Sequence, residues 1–260
     1  MWNVIICWVL YFFCYSIFGW LCETIYCSIG ARKLVNRGFL NGPLCPVYGF
    51  GALLVLSILR PLHGNPILIF LVGAVVTSAL EYVTGWLLET IFHMKLWDYS
   101  KRFLNLHGRI CLRNSVLFGL LCVVLDLWIH PLFARYIEAL PPLWLGVLGG
   151  FLCGILFSDC LVTVYTFLRV NGHIQKMQAA AESFHQSVKT IREEQRAQAS
   201  AAISELRSQI ERMQTDTHAL ERRVVRAFPQ MQSKRYPEAM EKLKTAVRTH
   251  VRKKKKQKEK

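Results

Sequence analysis

Two glutamates occupy matching positions in two apolar stretches of the chain. Residues 19–26, GWLCETIY, return as residues 85–92, GWLLETIF, so Glu23 and Glu89 lie 66 positions apart. The same offset relates Gly42, Leu44 and Cys45 to Gly108, Ile110 and Cys111. A whole two-helix unit is therefore predicted to be duplicated. Placing a glutamate at hydrocarbon depth costs about 2.5 kcal/mol or more of insertion free energy. A glutamate at two matching positions therefore suggests a function.

Two interpretations of these glutamates stay open. In the first, each carboxylate is neutralised by protonation, or pairs with a loop arginine such as Arg37 or Arg109, only to hold the loop against the bundle. In the second, it handles substrate or protons directly. Glu81 lies on the same helical stripe as Glu89 and has no copy in the first stretch, where Tyr15 takes its place. This isolation makes Glu81 the sharper functional candidate.

The loop at residues 93–109 contains several side chains capable of chemistry. Asp98, Tyr99, His107 and Arg109 would suit a catalytic or phosphate-binding site. A single histidine without a second ligand at metal spacing is usually just hydrogen-bonded, however. The sequence contains no P-loop, GxSxG or zinc motif. We therefore expect no enzyme activity, no metal and no cofactor, and no ATP hydrolysis by this chain alone.

Charge divides the chain into two parts. The 260 residues are 53% hydrophobic and carry a net charge of +15, yet 22 of the 32 Lys and Arg residues follow position 168. This split is typical of a membrane domain, here 1–168, followed by a basic soluble region. All 9 cysteines lie in the apolar part without a CxxC pair, which favours a packing role over disulfides or metal binding.

The fold class predicted is an all-α membrane protein with five transmembrane helices. The helices are expected at about residues 3–29, 45–59, 66–92, 110–129 and 143–168. Arginine and lysine are concentrated in the loops after the first and third helices and after the fifth. The positive-inside rule then predicts a multi-pass protein of the cell membrane with its N-terminus outside and its C-terminus cytoplasmic. The two copies of the unit would run in the same direction.

Glycine and proline interrupt the apolar segment at residues 34–51. The segment is too broken for a helix and too apolar for an ordinary loop, so we expect a re-entrant or cavity-lining stretch. The gating candidates in it are Asn36, Gly38, Gly42, Pro43, Pro46, Tyr48, Gly49 and Gly51.

Small residues mark expected helix contacts. Gly19 and Gly85 stand one turn before the repeat glutamates, where a neighbouring backbone could approach closely. A ridge of small residues follows in the fifth helix, at Gly146, Gly150, Gly154 and Ser158. This ridge is a candidate for packing within the subunit or between two subunits.

The region after residue 168 changes pattern. Asn171 and Gly172 are predicted to break the helix, and heptads then indicate a cytoplasmic coiled coil over 169–228 through which the chain would oligomerise. Residues 229–260 are predicted to form a basic, largely disordered tail. Its lysines would attract anionic lipid of the inner leaflet. Nucleic acid is a less favoured partner because few aromatic residues are interleaved with them.

Several motifs together resemble one bacterial membrane family. They are NRGFL at 36–40, GP at 42–43, CP at 45–46, YGFG at 48–51, EY at 81–82, WDYS at 97–100 and residues 105–111. Over roughly residues 10–165 the chain resembles the ABC-transporter type IV family, also called ABC transporter permease. The resemblance implies an integral membrane permease that partners a separate ATPase. The heptads and the lysine-rich end lie outside it.

Two functions from different classes follow. The first is a permease-like component of a transport system, in which Glu23, Glu81 and Glu89 line a polar route and Arg37 and Arg109 offset their charge. The alternative is a membrane-anchored scaffold that oligomerises and recruits partners through its coiled coil and basic tail. The sequence names no substrate for either.

Overall fold

The computed structural model describes residues 2–31, 35–59, 64–190, 204–205, 208, 212 and 217–258. This part of the chain is mostly helical, as predicted. Four helical stretches in it are long and apolar enough to cross a membrane: Asn3–Ile29, Pro66–Phe92, Leu112–Ile137 and Pro142–Gln186.

The helices and strands follow in chain order. The first half contains α1 (Trp2–Ala31), α2 (Pro46–Leu59), α3 (Pro66–Phe92), β1 (Met94–Lys95), β2 (Asn105–Leu106), β3 (Ile110–Cys111) and α4 (Leu112–Val124). A π-helix (Leu125–Ile129) then leads into α5 (His130–Ile137), α6 (Pro142–Thr190), α7 (Ala219–Ala227), β4 (Gln232–Ser233) and α8 (Pro237–Lys258).

The second predicted span, α2, is shorter than the other apolar helices. Its 14 residues rise about 21 Å, against a hydrocarbon core of about 30 Å. The four long apolar stretches thus include the other predicted spans but not this one.

The fourth span extends further than the sequence indicated. The expected helix at 110–129 begins at Leu112 and continues through the π-helix to Ile137. Pro131 has no N–H to donate and its ring crowds the carbonyl four residues earlier, which normally ends a helix. The wider π turn accommodates it, because His130 N–H donates to the Leu125 carbonyl.

The predicted helix break at Asn171 and Gly172 is wrong. Helix α6 runs without interruption from Pro142 to Thr190. Asparagine and glycine inside a helix each cost up to about 1 kcal/mol relative to alanine. Burial of the adjacent apolar residues Phe167, Val170, Ile174 and Met177 offsets that cost.

The chain forms two compact units. The first contains Met1–Thr90 and Trp97–Val164. Its core gathers apolar side chains from α1, α2, α3, α4, α5 and α6, among them Leu10, Val55, Leu59, Ile69, Cys122, Ile137 and Leu145. Large apolar side chains such as Val75, Leu120 and Phe157 remain exposed along the long helices. A surface of this kind suits lipid rather than water.

The second unit contains Ile91–Leu96 and Tyr165–Lys260. Strand β1 pairs antiparallel with β4, with Met94 opposite Ser233. The Phe167 ring packs between Phe92 and Phe228, with ring centroids 5.1 and 6.5 Å apart. This unit therefore has an apolar core of its own.

An ion pair lies inside the second unit. Glu221 is 3% exposed and lies 3.0 Å from Arg169 Nε and 3.4 Å from His173 Nδ1. Its Oε2 also accepts the His218 N–H at 2.9 Å, which caps α7.

The basic end of the chain is helical rather than largely disordered. Helix α8 covers Pro237–Lys258. Pro237 begins this helix, because its missing N–H falls where a helix needs no donor. Met240, Leu243 and Val247 recur at helical spacing and are buried. Their burial stabilises a helix that charge repulsion alone would oppose.

The predicted coiled coil is covered only in part. Ile174, Met177 and Val224 are buried within the single chain, so they need no partner helix to leave water. Five of the coiled coil's heptad positions lie outside the described residues: Ile191, Ile203, Leu206, Ile210 and Met213.

Candidate functional site

Glu89, near the end of α3, pairs with Arg109 in the loop before α4. Arg109 Nε and Nη2 both donate to Glu89 Oε2, at 3.0 and 2.6 Å. The Glu89 side chain is 6% exposed and the Arg109 side chain 15%. The hydrogen bond to Glu89 raises the pKa of Arg109, so the guanidinium stays charged. The predicted contact between these two residues is thus present.

The same arginine reaches two further side chains. Arg109 Nη1 donates to the Tyr82 hydroxyl at 2.9 Å, and the guanidinium carbon lies 5.0 Å from the centroid of the Tyr82 ring. The Tyr82 hydroxyl lies 3.1 Å from His107 Nδ1. A continuous set of polar contacts therefore leads from buried Glu89 to exposed His107.

The loop that carries Arg109 is held in shape by its own polar groups. Asp98 Oδ1 accepts the Ser100 N–H at 3.2 Å and the Ser100 hydroxyl at 2.5 Å. Asn105 Nδ2 donates to the carbonyls of Ser100 and Arg102 at 3.1 and 2.9 Å. Asp98 thus stabilises a turn of the loop.

Gly85 allows this loop to lie close to α3. A Cβ atom at Gly85 would lie 3.2 Å from Trp97 Cζ2 and 3.6 Å from the Arg109 side chain. Trp97 Nε1 in turn donates to the Arg109 carbonyl at 2.9 Å. Two side chains of the loop therefore lie against Gly85, rather than the neighbouring backbone that was predicted.

Glu23 in α1 pairs with Arg37 in the loop after that helix. Arg37 Nε lies 3.4 Å from Glu23 Oε1, with side-chain exposures of 17% and 25%. Cys45 Sγ donates to Glu23 Oε2 at 3.6 Å. Gly19, one turn earlier, lies against Tyr48, whose ring occupies the space that a Cβ would need.

Glu81 lies in a group of polar side chains drawn from several elements. Asn114 and Tyr99 are within hydrogen-bonding reach of its carboxyl group, and Glu23 interacts with it electrostatically. Tyr48 interacts with both glutamates. We define the polar cluster as Glu23, Arg37, Cys45, Tyr48, Glu81, Tyr99 and Asn114.

Tyr99 keeps its proton in this setting. Burial raises the pKa of Tyr99, and the nearby carboxylates of Glu81 and Glu23 raise it further. Its hydroxyl therefore remains a hydrogen-bond donor beside Glu81.

The predicted gating segment is partly helical, so the expectation that all of 34–51 is too broken for a helix is wrong. The helix predicted at about 45–59 is present as α2. Residues 35–45 are irregular, whereas Pro46, Tyr48, Gly49 and Gly51 lie in the first turns of α2. Gly49 allows α2 to pack closely against Phe12 of α1. A Cβ atom at this position would lie only 2.7 Å from Phe12.

Asp159 of α6 anchors the irregular part. Its carboxylate accepts the Asn41 N–H at 2.9 Å and the Gly42 N–H at 2.7 Å. Asn41 Nδ2 also donates to Thr163 Oγ1 at 3.0 Å. Asp159 was not among the site residues predicted from the sequence. The available signal was a lone carboxylate inside an apolar helix.

A second polar group missed from the sequence lies on α1 and α5. The Tyr11 hydroxyl donates to Glu138 Oε1 at 2.9 Å. The Tyr15 hydroxyl and His130 Nδ1 are 2.7 Å apart. Tyrosine hydroxyls in an apolar helix need partners, which was the signal that could have revealed this group.

The small-residue ridge of α6 has open space beside it. A Cβ atom at Gly146, Gly150 or Gly154 would meet no atom within 4 Å among the described residues. Of the two expected uses of the ridge, packing within the subunit is not seen in that part of the chain.

A family model described as Putative ABC-transporter type IV matches residues 10–164. This range is more than half of the chain and includes the polar cluster, the Glu89–Arg109 pair and Asp159. The chain belongs to that family. No curated protein and no solved structure matches it significantly.

Membership in the ABC-transporter type IV family agrees with the four apolar helices. Together they indicate a multi-pass membrane protein that takes part in transport. The matched range of this ABC-transporter type IV protein coincides closely with its first unit and leaves most of the second unit outside.

Proposed function

We propose that this chain is a permease-like component of a membrane transport system. The observation that carries the proposal is the burial of Glu81 and Glu89 in an apolar helix, 9% and 6% exposed. Both carboxylates contact polar side chains of the same unit. Ionisable groups in membrane segments most often face a bundle interior and mark a path for polar substrates.

In this role Glu23, Glu81 and Glu89 line a polar route, while Arg37 and Arg109 offset the charges of Glu23 and Glu89. The ion-pair distances of 3.4 and 2.6 Å support this assignment. Asp98 and His107 would then lie in the loop at one end of the route. The two ion pairs also stabilise the helix bundle, because each holds a loop against a helix.

Residues 36–51 gate the route. Two hydrogen bonds from its backbone to Asp159 hold the irregular part of this segment. The contact of Tyr48 with Gly19 holds the helical part. A gate would open by exchanging the Asp159 contacts for water.

A duplicated two-helix unit underlies the route. Two contacts at the same offset of 66 support it. Phe12 lies against Gly49, and at the equivalent positions the Ser78 hydroxyl donates to the Ser115 hydroxyl at 2.7 Å. Both copies would run in the same direction, which puts Glu23 and Glu89 at similar depth.

The proposed topology has five membrane crossings, with the N-terminus outside and the C-terminus in the cytoplasm. Helix α2 makes a short crossing, around which the bilayer is locally thinner. The positive-inside rule supports this topology. Labelling of single cysteines from each side of the membrane at the two chain ends tests it. Labels on the same side would exclude the fifth crossing.

The chain would not hydrolyse ATP itself but would work with a separate ATPase subunit. The family description supports this partner. We further propose anionic lipid as the partner of the basic end, and homo-oligomers formed through the coiled coil. The open ridge of α6 offers a second contact between subunits.

Purification of the full chain from native membranes in mild detergent tests the ATPase partner. We expect an ATP-hydrolysing protein to co-purify with it. Recovery of the chain without ATPase activity, from cells grown under several conditions, contradicts the proposal.

Reconstitution with that partner tests the polar route. Glu81→Gln and Glu89→Gln should each slow uptake of the transported compound at least tenfold. Glu182→Gln is the control because Glu182 is exposed on α6. If both variants transport every compound tested as well as the wild-type chain does, the route is wrong.

A further inference from the structure

We propose that Glu81 is a proton-carrying residue that binds and releases one proton within the polar cluster. This inference rests on the proposed route and deepens it by naming the ion that the route carries.

The charges of the polar cluster do not balance. It contains two carboxylates, Glu23 and Glu81, and one guanidinium, Arg37. Arg37 lies against Glu23 and offsets its charge. The negative charge of Glu81 therefore has no matching positive charge within the cluster. One added positive charge makes the cluster neutral.

The Glu81 carboxyl group has an oxygen that nothing described in the chain satisfies. The side chain is 9% exposed, and Oε2 is buried without a hydrogen-bond partner among the described residues. A buried ionised oxygen without a partner is costly, and a carboxylate in that position avoids the cost by taking up a proton.

A proton is the positive charge that fits this site. Among the described residues, no three His, Cys, Asp or Glu side chains are grouped to hold a metal ion. The direct neighbours of Glu81, a phenol and an amide, are too few to replace the hydration shell of a larger cation.

The cluster also stabilises the ionised form of Glu81, so the proton can leave. Tyr99 and Asn114 are within hydrogen-bonding reach of the carboxyl group, and each has a hydrogen to donate. Glu89 differs, because Arg109 donates to it twice and offsets its charge. Glu81 is therefore better suited than Glu89 to bind and release a proton.

The titratable groups that interact with Glu81 are Glu23 of α1, Tyr48 of α2 and Tyr99 of the loop after α3. Cys45 interacts in turn with Tyr48, and Arg37 with Tyr99. Glu23 is 25% exposed, whereas Glu81 is 9% exposed.

Infrared spectroscopy of the full chain in lipid nanodiscs tests the proposal. At neutral pH exposed carboxyl groups are ionised, so a protonated carboxyl band then reports a shielded group. We expect wild type to show such a band and Glu81→Gln to lose it. Glu81→Asp should keep the band at a shifted frequency, which assigns it even if the glutamine variant folds poorly.

Glu89→Gln and Glu182→Gln are the matched controls and should leave the band unchanged. A band of equal size in Glu81→Gln, or no band in wild type, overturns the proposal. The measurement requires no transported compound. A band lost with Glu81 from a chain that moves nothing would therefore contradict the proposed function and leave only proton binding by Glu81 standing.

Discussion

The Asp159 carboxylate in α6 accepts the backbone N–H of Gly42 at 2.7 Å. It thereby joins two segments 117 positions apart in the sequence. The long apolar helix α6 thus holds the irregular segment that we propose as a gate. It does so through one carboxylate, which accepts two backbone N–H groups.

Asp159→Ala should destabilise the first unit by about 2 kcal/mol, because hydrogen bonds to a charged acceptor contribute about 1.5–3 kcal/mol. Thermal unfolding in detergent measures the loss, and protease cleavage within 36–45 should become faster. Ser158→Ala, one residue earlier and exposed, is the control. Equal cleavage rates in both variants would show that Asp159 does not hold the segment.

Arg109 and Glu89 should behave as a coupled pair. Arg109→Ala removes the cation that lies against a buried carboxylate and should cost about 3 kcal/mol, since breaking a buried pair costs about 3–5 kcal/mol. The double variant Glu89→Gln with Arg109→Gln should cost less than the two single changes together. A double-mutant cycle on unfolding midpoints tests this, and strict additivity would rule out the coupling.

Gly19→Ala should destabilise the chain because the added methyl group meets the Tyr48 ring. Overpacking of this kind costs about 1–3 kcal/mol. Gly146→Ala is the matched control, since a Cβ there has open space among the described residues. We expect a lower unfolding temperature for the first variant alone, and partial recovery when Tyr48→Ala is added. Equal midpoints for both glycine variants would contradict this packing.

The sequence predicted those features that depend on neighbours along the chain. The helix at 66–92 was correct at both ends because Pro66 begins it and polar residues follow Phe92. The loop arginines were found as partners of Glu23 and Glu89 because the repeat drew attention to the carboxylates. These features follow from local pattern and charge.

Features that depend on distant segments were not predicted. Asp159 binds backbone N–H groups, which every residue except proline has, so no side-chain pattern marks its partner. Helix α6 passes Asn171 because tertiary burial outweighs local propensity. The polar cluster combines four helices and two loops, and no local pattern shows that Tyr48 and Asn114 lie beside Glu81.

The helical state of the basic end depends on a few buried side chains, and Leu243 is one of them at 1% exposure. Leu243→Ala should remove about 3 kcal/mol, within the range of about 2–5 kcal/mol for such cavities. Hydrogen exchange should then speed up across residues 237–249, while Lys242→Ala, at an exposed position, should leave it unchanged. Equal and fast exchange in wild type and both variants would mean that α8 is not stably folded. Only a packed helix loses protection when one of its buried side chains is truncated.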